Sequence, residues 1–299
     1  MGCRRAFASR RLILNLAAAL VGLLYALPLI WMLSTSLKPT AQTLAHPPTL
    51  LPEPVGDLPR FARENYVGEL DEQGRAVVRG VWTDPVVDFP LFLRNSLVVA
   101  LLSVSGMVVS SAVVAYGFAR VRWRGRGPLF ALLLATMMIP FPVLMGPMYV
   151  LFKQLGWIGT LRPLWVPSWF AGAFNVFLLR QFYLTIPREL DEAAAIDGCS
   201  HWGIFTRVIL PLSRPALAVV ALFQFIFVWN DFLAPLIFLQ KQEHFTLALG
   251  LALYQSQAGN VPWNLLMAAS TLVLAPVLVL FVLTQRTFTE GIATQGLKE

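Results

Sequence analysis

The amino-acid sequence predicts an all-α membrane protein with six transmembrane helices and both termini in the cytoplasm. Of its 299 residues, 57% are hydrophobic and only 13% are charged, and the mean hydropathy is +0.66. A soluble domain carries about 25% charged residues, so this composition indicates a polytopic membrane protein. We expect one membrane domain over residues 1–299, because the sequence has no internal repeat at a short period and no low-complexity tract.

Each predicted span rests on a run of about 20 mostly apolar residues, the length that a helix needs to cross the hydrocarbon core. The first run follows a basic segment and lacks a small-residue cleavage site, so we expect an uncleaved helix. The third contains Pro140, Pro142 and Pro147, which predict a kink or local unwinding. The fourth and fifth enclose a polar loop. The six spans are residues 12–33, 96–119, 128–152, 164–182, 216–239 and 265–284.

The distribution of basic residues predicts the orientation. The short loop 120–126 holds four arginines, whereas the loop 153–162 holds only Lys153 and Arg162. Short loops rich in Lys and Arg stay in the cytoplasm. The termini and the loop 186–214 are then cytoplasmic, and the long loop 38–94 is extracytoplasmic.

The long loop 38–94 is rich in Pro, Gly and charged residues. It is either a small structured cap or an irregular strap, and both remain open. The net charge of +7 reflects orientation in the membrane rather than a nucleic-acid partner. The two cysteines, Cys3 and Cys199, fall on predicted cytoplasmic segments and predict neither a disulfide framework nor a metal site.

The loop 186–214 contains the strongest local signals. Pro187 suits the first position of a helix, and the acids that follow it lie where the helix dipole favours anions. Alanines at 193–195 supply helix propensity without bulk, so another protein could approach closely. Gly198 ends this helix, and Ser200 can cap a second one that runs to about residue 209.

An amphipathic loop lying on the membrane surface is the alternative interpretation of the loop 186–214. Surface-lying helices usually carry basic residues on the polar face, because lipid headgroups are anionic. An acidic, alanine-lined helix does not fit that description. We therefore favour a surface that binds another protein.

Several ordered segments point to one family. They are FLRNSLVVA (92–100), IPFPVLMGPMYVLFKQLGWIGT (139–160), VFLLRQFYLTIPRELDEAAAIDG (176–198), LPLSRPAL (210–217), WNDFLAPLIF (229–238) and QRTFTEGI (285–292). From the second helix to the C-terminus, the sequence resembles the carbohydrate-type (maltose-type) permease subunits of bacterial ABC importers. Val208 stands where the family has isoleucine, and the tail 294–299 departs from the usual family ending.

The resemblance implies the type I ABC importer transmembrane fold and a set of partners. These are a second homologous permease subunit, two ABC ATPase subunits, an extracytoplasmic substrate-binding protein and the lipid bilayer. The helix at 192–196 would couple the permease to the ATPase, the tail 291–299 would lie near the ATPase pair, and the loop 240–262 would reach into the binding protein. The implied coupling residues are Glu192, Ala193, Ala194, Asp197, Gly198, Leu210 and Pro211.

The fifth predicted span contains polar residues, which are costly inside a membrane. Gln224 and Asp231 are seven residues apart and share a helix face with Phe227, so this stripe could line a sugar pathway. Alternatively, Asn230 and Asp231 pack against another helix or hold a local break before Pro235. We favour a structural or gating role for Asn230 and Asp231.

These features predict a permease subunit of an ATP-driven importer for a sugar or sugar derivative, in a bacterial or archaeal inner membrane. The chain has no GxxxxGK[ST] motif, so it is expected to bind no cofactor, and ATP and Mg²⁺ would be bound by the partner ATPase. A membrane enzyme would need motifs such as HExxH or GxSxG, which the sequence lacks. An ATP-independent channel or carrier remains the alternative, although it would not need the acidic loop.

Overall fold

The described part of the protein is almost entirely helical. The computed structural model describes residues 2–256 and 261–295, and the side chains of residues 14–256 and 261–285. The α-helices are α1 (Gly2–Ser36), α2 (Leu58–Tyr66), α3 (Phe89–Ala119), α4 (Arg126–Ala135), α5 (Phe141–Gln154), α6 (Arg162–Trp165), α7 (Ala173–Thr185), α8 (Glu189–Ile196), α9 (His201–Ile204), α10 (Leu210–Leu212), α11 (Arg214–Trp229), α12 (Leu233–Phe238), α13 (Leu247–Gln255) and α14 (Trp263–Gln295). Two short strands, β1 (Glu69–Leu70) and β2 (Ala76–Val78), pair antiparallel.

The chain forms two compact units. The first contains the described residues up to Phe89 together with those between Leu251 and Pro276, and the second contains Pro90–Gly250 together with the described residues after Pro276. Residues 38–89 of the predicted extracytoplasmic loop belong to the first unit, and residues 90–94 to the second. The loop 186–214 and the helices on either side of it belong to the second.

Helix length and composition give three to five candidate membrane spans among the described residues, where the sequence predicts six. Three single helices qualify: Leu14–Ser36, Phe89–Ala119 and Trp263–Gln285. Two bent pairs qualify if each pair counts as one span: Arg126–Met138 with Phe141–Gln154, bent by 99°, and His201–Leu212 with Arg214–Trp229, bent by 77°.

The bend in the first pair lies at the proline cluster, as the sequence predicts. Ile139 has an extended backbone, because the ring of Pro140 disfavours the α conformation in the preceding residue. α5 then starts directly after Pro140. The proline therefore ends one helix and begins the next.

The predicted span at 164–182 is interrupted. A 3₁₀ helix occupies Val166–Phe170, and α7 starts only at Ala173. Pro167 has no N–H to donate to an α-helical ladder, and Ala171 adopts a φ of 61°. This break leaves peptide N–H and C=O groups without α-helical hydrogen bonds, so they need other partners.

Serines on α3 satisfy peptide groups of this unwound segment, residues 164–172. The hydroxyl of Ser103 donates to the Leu164 carbonyl at 3.2 Å, and that of Ser110 accepts from the Ala171 N–H at 3.0 Å. The remaining contacts join Ser110 Oγ to Ser168 O, Gly172 N to Ser111 Oγ, and Trp169 Nε1 to Leu102 O. Irregular backbone at membrane depth is tolerated where protein groups replace the missing hydrogen bonds.

The loop 38–94 is a structured cap, which decides between the two forms that the sequence left open. It contains α2 and the two-stranded sheet. Asn65 on α2 is buried and donates to the Ser36 and Lys38 carbonyls, both at 2.8 Å. Its own carbonyl oxygen accepts from Asn264 Nδ2 at 2.8 Å. One amide thus ties the cap to the end of α1 and to the start of α14.

The hairpin of β1 and β2 is closed by Asp71. Its Oδ1 accepts from the backbone N–H groups of Gln73 at 2.9 Å and Arg75 at 2.8 Å. Its Oδ2 lies 2.8 Å from Arg75 Nε. The backbone N–H of Arg75, followed by the Arg75 guanidinium, lowers the pKa of Asp71 below its ordinary value. The turn therefore favours the ionised form of Asp71.

The core of the second unit surrounds one end of α3. Buried apolar side chains from α3, α7, the start of α11 and the loop 186–214 form a single cluster. Ala115, Leu179, Tyr183 and Ile209 are completely buried within it. This cluster fixes the loop 186–214 to the membrane helices.

Candidate functional site

The first half of the loop 186–214 is α8 and the turn that follows it. α8 begins two residues after Pro187 with acids in its first turn, in agreement with the dipole argument. It ends at Ile196, and Gly198 has a φ of 83°, in the left-handed region. The N–H of Gly198 donates to the Ala195 carbonyl at 3.0 Å and that of Cys199 to the Ala194 carbonyl at 2.9 Å. Glycine ends the helix here as the sequence predicts.

The second half starts at Ser200, whose hydroxyl accepts from the Gly203 N–H at 3.2 Å. This confirms the predicted N-cap. α9 passes into a π-helical turn at Phe205–Ile209 and then into α10. The side chains of Ile204, Phe205 and Ile209 are buried, so this half is anchored in the core.

α8 presents two different faces. Asp191 and Ala194, three residues apart, point inward, and Ala194 packs against the core cluster. The other face carries exposed Glu192, Ala193 and Ala195, and Ile196 is 87% exposed. Trp202 on α9 is 63% exposed. A small apolar surface with exposed Glu189 and Glu192 beside it is therefore available to another molecule.

The inner face of the loop is held by α3 through two polar contacts. Arg120 Nη1 lies 3.3 Å from Asp191 Oδ2, and the Tyr116 hydroxyl donates to the His201 carbonyl at 3.1 Å. In the sequence, Arg120 is one of the four arginines of the loop 120–126 that predict the orientation in the membrane. The partner lies 71 positions further along the chain, and no local pattern could reveal that contact.

The remaining predicted loop residues differ in how exposed they are. Asp197 and Pro211 are exposed, whereas Leu210 is partly buried against the core cluster. Leu210 and Pro211 lie in α10, next to the 77° bend that leads into α11. The predicted coupling residues therefore lie on both the outer and the inner side of the loop, and their assignment stays a prediction.

The four predicted pathway residues do not share one environment. Gln224 is buried, and its Nε2 donates to Ser168 Oγ at 3.3 Å. Phe227 is 69% exposed. α11 ends at Trp229, and Asn230 donates back to the Ile226 carbonyl at 2.8 Å.

Asp231 caps the short helix α12. Its Oδ1 accepts from the Ala234 N–H at 3.1 Å, as an N-terminal carboxylate does. Pro235 explains why a break is needed here, because its ring would clash with the carbonyl of residue 231 in a continuous helix. This geometry supports the structural alternative for Asp231, the one that the sequence analysis favours.

Among the described residues, no group of three or more His, Cys, Asp or Glu side chains could hold a metal ion. The tail prediction for residues 291–299 concerns residues whose side chains, and from 296 onward whose backbone, lie outside the described part. Residues 257–260 of the loop 240–262 lie outside it as well.

A family model matches residues 92–293, more than half of the chain. It describes the binding-protein-dependent transport system inner membrane component. The match starts near the beginning of α3 and includes the whole loop 186–214.

Similar proteins of known annotation align over nearly the full length of the chain. The trehalose/maltose transport system permease protein MalG of Thermococcus litoralis is 32% identical over 291 residues, which is 97% of each chain. The arabinooligosaccharides transport system permease protein AraQ of Bacillus subtilis is 32% identical over 292 residues, covering 98% of this chain and 97% of that protein.

A solved structure shares the fold. A chain of a bacterial ABC transporter involved in the import of the acidic polysaccharide alginate superimposes with a TM-score of 0.74 at 21% identity, over 93% of this chain and 97% of that one. A chain of the alginate transporter in complex with a pentasaccharide-bound periplasmic protein gives a TM-score of 0.55 at 17% identity, over 68% and 78%.

Proposed function

This chain belongs to the family of binding-protein-dependent transport system inner membrane components, and we propose that it is the permease subunit of an ATP-driven importer for a sugar or sugar derivative. The observation that carries this proposal is the full-length similarity to sugar permeases. These two relatives are named for trehalose/maltose and for arabinooligosaccharides, and the solved transporter for the acidic polysaccharide alginate. The proposed substrate class is therefore sugars and their derivatives, and the proposal names no particular sugar.

The partners follow from the family. The family name supports a binding protein as one partner, as does the complex of the alginate transporter with its periplasmic protein; this partner would deliver the sugar from outside the membrane. A second homologous permease subunit completes the pathway, and two ATPase subunits bind ATP and Mg²⁺ on the cytoplasmic side. The chain itself supplies no phosphate-binding motif.

The outer face of α8 is the surface that we assign to the ATPase. Its small alanines let a partner approach closely, and Ile196 and Trp202 supply exposed apolar area. Glu189 and Glu192 supply negative charge on that face for polar contacts with the ATPase. The Gly198 turn sets the angle between α8 and the second half of the loop.

The mechanism is alternating access. Closure of the ATPase pair on ATP displaces α8, and the loop transfers this displacement to the helices that are packed on its inner face. The permease pair then changes from inward-open to outward-open. Among the predicted pathway residues, Phe227 has an exposed aromatic ring suited to a sugar face, whereas Gln224 would act through its contact with Ser168.

The test is co-purification of the tagged chain from native membranes. Ile196→Glu changes a side chain that is 87% exposed among the described residues, so the fold should persist while ATPase capture falls by about tenfold or more. Leu44→Glu, at a 70% exposed position in the cap, is the matched control and should retain the ATPase. Gly198→Pro should also lose it, because proline cannot adopt the φ of 83°.

Two outcomes would count against the proposal. If the wild-type chain purifies in gentle detergent without an ATPase, the ATP-independent carrier becomes the better description. If Ile196→Glu and Leu44→Glu capture the ATPase equally well, the outer face of α8 is not the docking surface.

A further inference from the structure

Arg120, at the end of α3, is a buried charge that the proposed function has not used. Its side chain is 3% exposed, and it follows directly after the last residue of α3. Burial of a guanidinium is expensive unless each part of it is paired. The groups that pair with Arg120 therefore indicate its role.

One side of the guanidinium closes the end of α7. Arg120 Nη2 donates to the Tyr183 carbonyl at 2.5 Å and to the Ile186 carbonyl at 2.6 Å. Carbonyls at the C-terminus of a helix lack helical partners and carry partial negative charge. The arginine satisfies both, so α3 and α7 are joined at the point where the loop 186–214 begins.

The other side of the guanidinium contacts α8. Nη1 lies 3.3 Å from Asp191 Oδ2 in the first turn of that helix. Arg120 Nε and Asp191 Oδ1 are buried and have no hydrogen-bond partner among the described side chains. The pair is thus a single ion-pair contact rather than the two parallel hydrogen bonds that an arginine and a carboxylate can form.

A second contact repeats this arrangement one turn earlier on α3. Tyr116, four residues before Arg120 and on the same face, donates to the His201 carbonyl at 3.1 Å. Its ring centroid lies 5.0 Å from that of Phe205. α3 therefore contacts both halves of the loop, on the side opposite to the exposed face of α8.

We propose that Arg120 is a positioning residue that fixes α8 to α3 and α7, so that a displacement of α8 by the ATPase moves these membrane helices with it. The proposal rests on the proposed function, because it needs an ATPase that acts on α8. An apolar contact would let α8 slide along the core surface. Arg120 holds the end of α7 through two carbonyls and α8 through Asp191, so one planar group ties both elements to the end of α3.

The experiment uses the complete importer reconstituted in liposomes, and it measures sugar uptake and ATP hydrolysis in the same preparation. Arg120→Met keeps the length of the side chain and removes all three contacts. We expect the complex to assemble and hydrolyse ATP, while uptake per ATP falls by about tenfold, the usual size of a coupling between two sites. A merely structural role would reduce the amount of complex and leave this ratio unchanged.

Further variants identify the contact responsible. Asp191→Ala removes the partner on α8 and should lower the ratio, and the double variant with Arg120→Met should be no worse than Arg120→Met alone, because the two residues act as a pair. Arg120→Lys restores one charged contact but not the fork, so it should recover part of the ratio. If Arg120→Met does not assemble, Asp191→Ala decides the question, since the side chain of Asp191 is 20% exposed whereas that of Arg120 is 3% exposed.

The possible failures are distinguishable. If wild-type complex neither captures an ATPase nor takes up sugar, the proposed function is wrong and the role of Arg120 is wrong with it. If wild type is coupled and both single variants keep the wild-type uptake per ATP, only the role of Arg120 is overturned. Additive losses in the double variant would also overturn it, because they show two independent effects.

Discussion

Two glycines on α3 have opposite surroundings. A Cβ added at Gly106 would lie 2.4 Å from Cδ1 of Trp169, whereas a Cβ added at Gly117 would have nothing within 4 Å. Gly106 therefore lets the indole pack against the helix backbone, where its Nε1 donates to the Leu102 carbonyl at 3.1 Å. Gly117 has no such steric reason in the described structure.

Alanine at these two positions should have effects of opposite sign. Gly106→Ala forces Trp169 away and should destabilise the chain by about 1–3 kcal/mol. Gly117→Ala only removes the conformational freedom of glycine from a helix and should stabilise it by up to about 1 kcal/mol. Thermal unfolding of the purified chain in detergent measures both. Equal shifts for the two variants would contradict the packing argument.

At the scale of single residues, the sequence predicts what local chemistry decides. Gly198 and Ser200 perform the predicted tasks because a left-handed turn and an N-cap need only neighbouring atoms. The contacts of Arg120 and Gln224 could not be predicted, because their partners lie 71 and 56 positions away. Side-chain type indicates that a buried polar group needs a partner, but not which partner it has.

Among the helices and strands, α2 depends most clearly on one side chain. Asn65 is 4% exposed and makes three hydrogen bonds from a single amide. Its neighbour Glu64 makes an ion pair of 2.7 Å with Arg60, which is 70% exposed. Buried polar groups are costly to leave unpaired, whereas exposed ion pairs contribute little.

Substitutions at these two adjacent positions should separate the effects. Asn65→Ala leaves the Ser36 and Lys38 carbonyls without their donor and should loosen the cap by about 1–3 kcal/mol. Glu64→Ala loses only an exposed pair and should change the stability by less than about 1 kcal/mol. Hydrogen exchange of the cap amides reports both changes. The interpretation fails if the two variants exchange alike.

The sequence predicts the elements that depend on local residues and misses those that depend on distant contacts. Long apolar runs predict α1, α3 and α14, and the proline cluster predicts the break between α4 and α5. The sequence does not predict the unwound segment at 164–172, because its peptide groups form hydrogen bonds with serines of α3. The sequence does not show that the cap is structured for a similar reason, since Asn65 and Asn264, which hold it, are 199 positions apart.

For the molecule as a whole, the orientation in the membrane is the main prediction that helix geometry does not test. Basic residues in the loop 120–126 place that loop in the cytoplasm, and the cap is then outside. The structure offers one exposed position on each predicted side of the membrane. Val77 in the cap is 68% exposed, and Arg124 is exposed in the basic loop.

Single cysteines at these positions test the orientation. In a chain whose Cys3 and Cys199 are replaced by serine, Val77→Cys should react with a membrane-impermeant maleimide on intact cells or spheroplasts. Arg124→Cys should react only after the membrane is permeabilised, which also shows that the site is accessible. The reverse pattern would invert the predicted topology, and both ends of the chain would then be outside.

The division of α8 into two faces has an evolutionary consequence. The inner face, Asp191 and Ala194, contacts this chain's own core, whereas the outer face is exposed among the described residues. Substitutions on the outer face should therefore be possible without disturbing the fold. If the proposed ATPase docks there, exchanging a few outward residues should match the permease to a different ATPase, which would make the helix a replaceable adaptor.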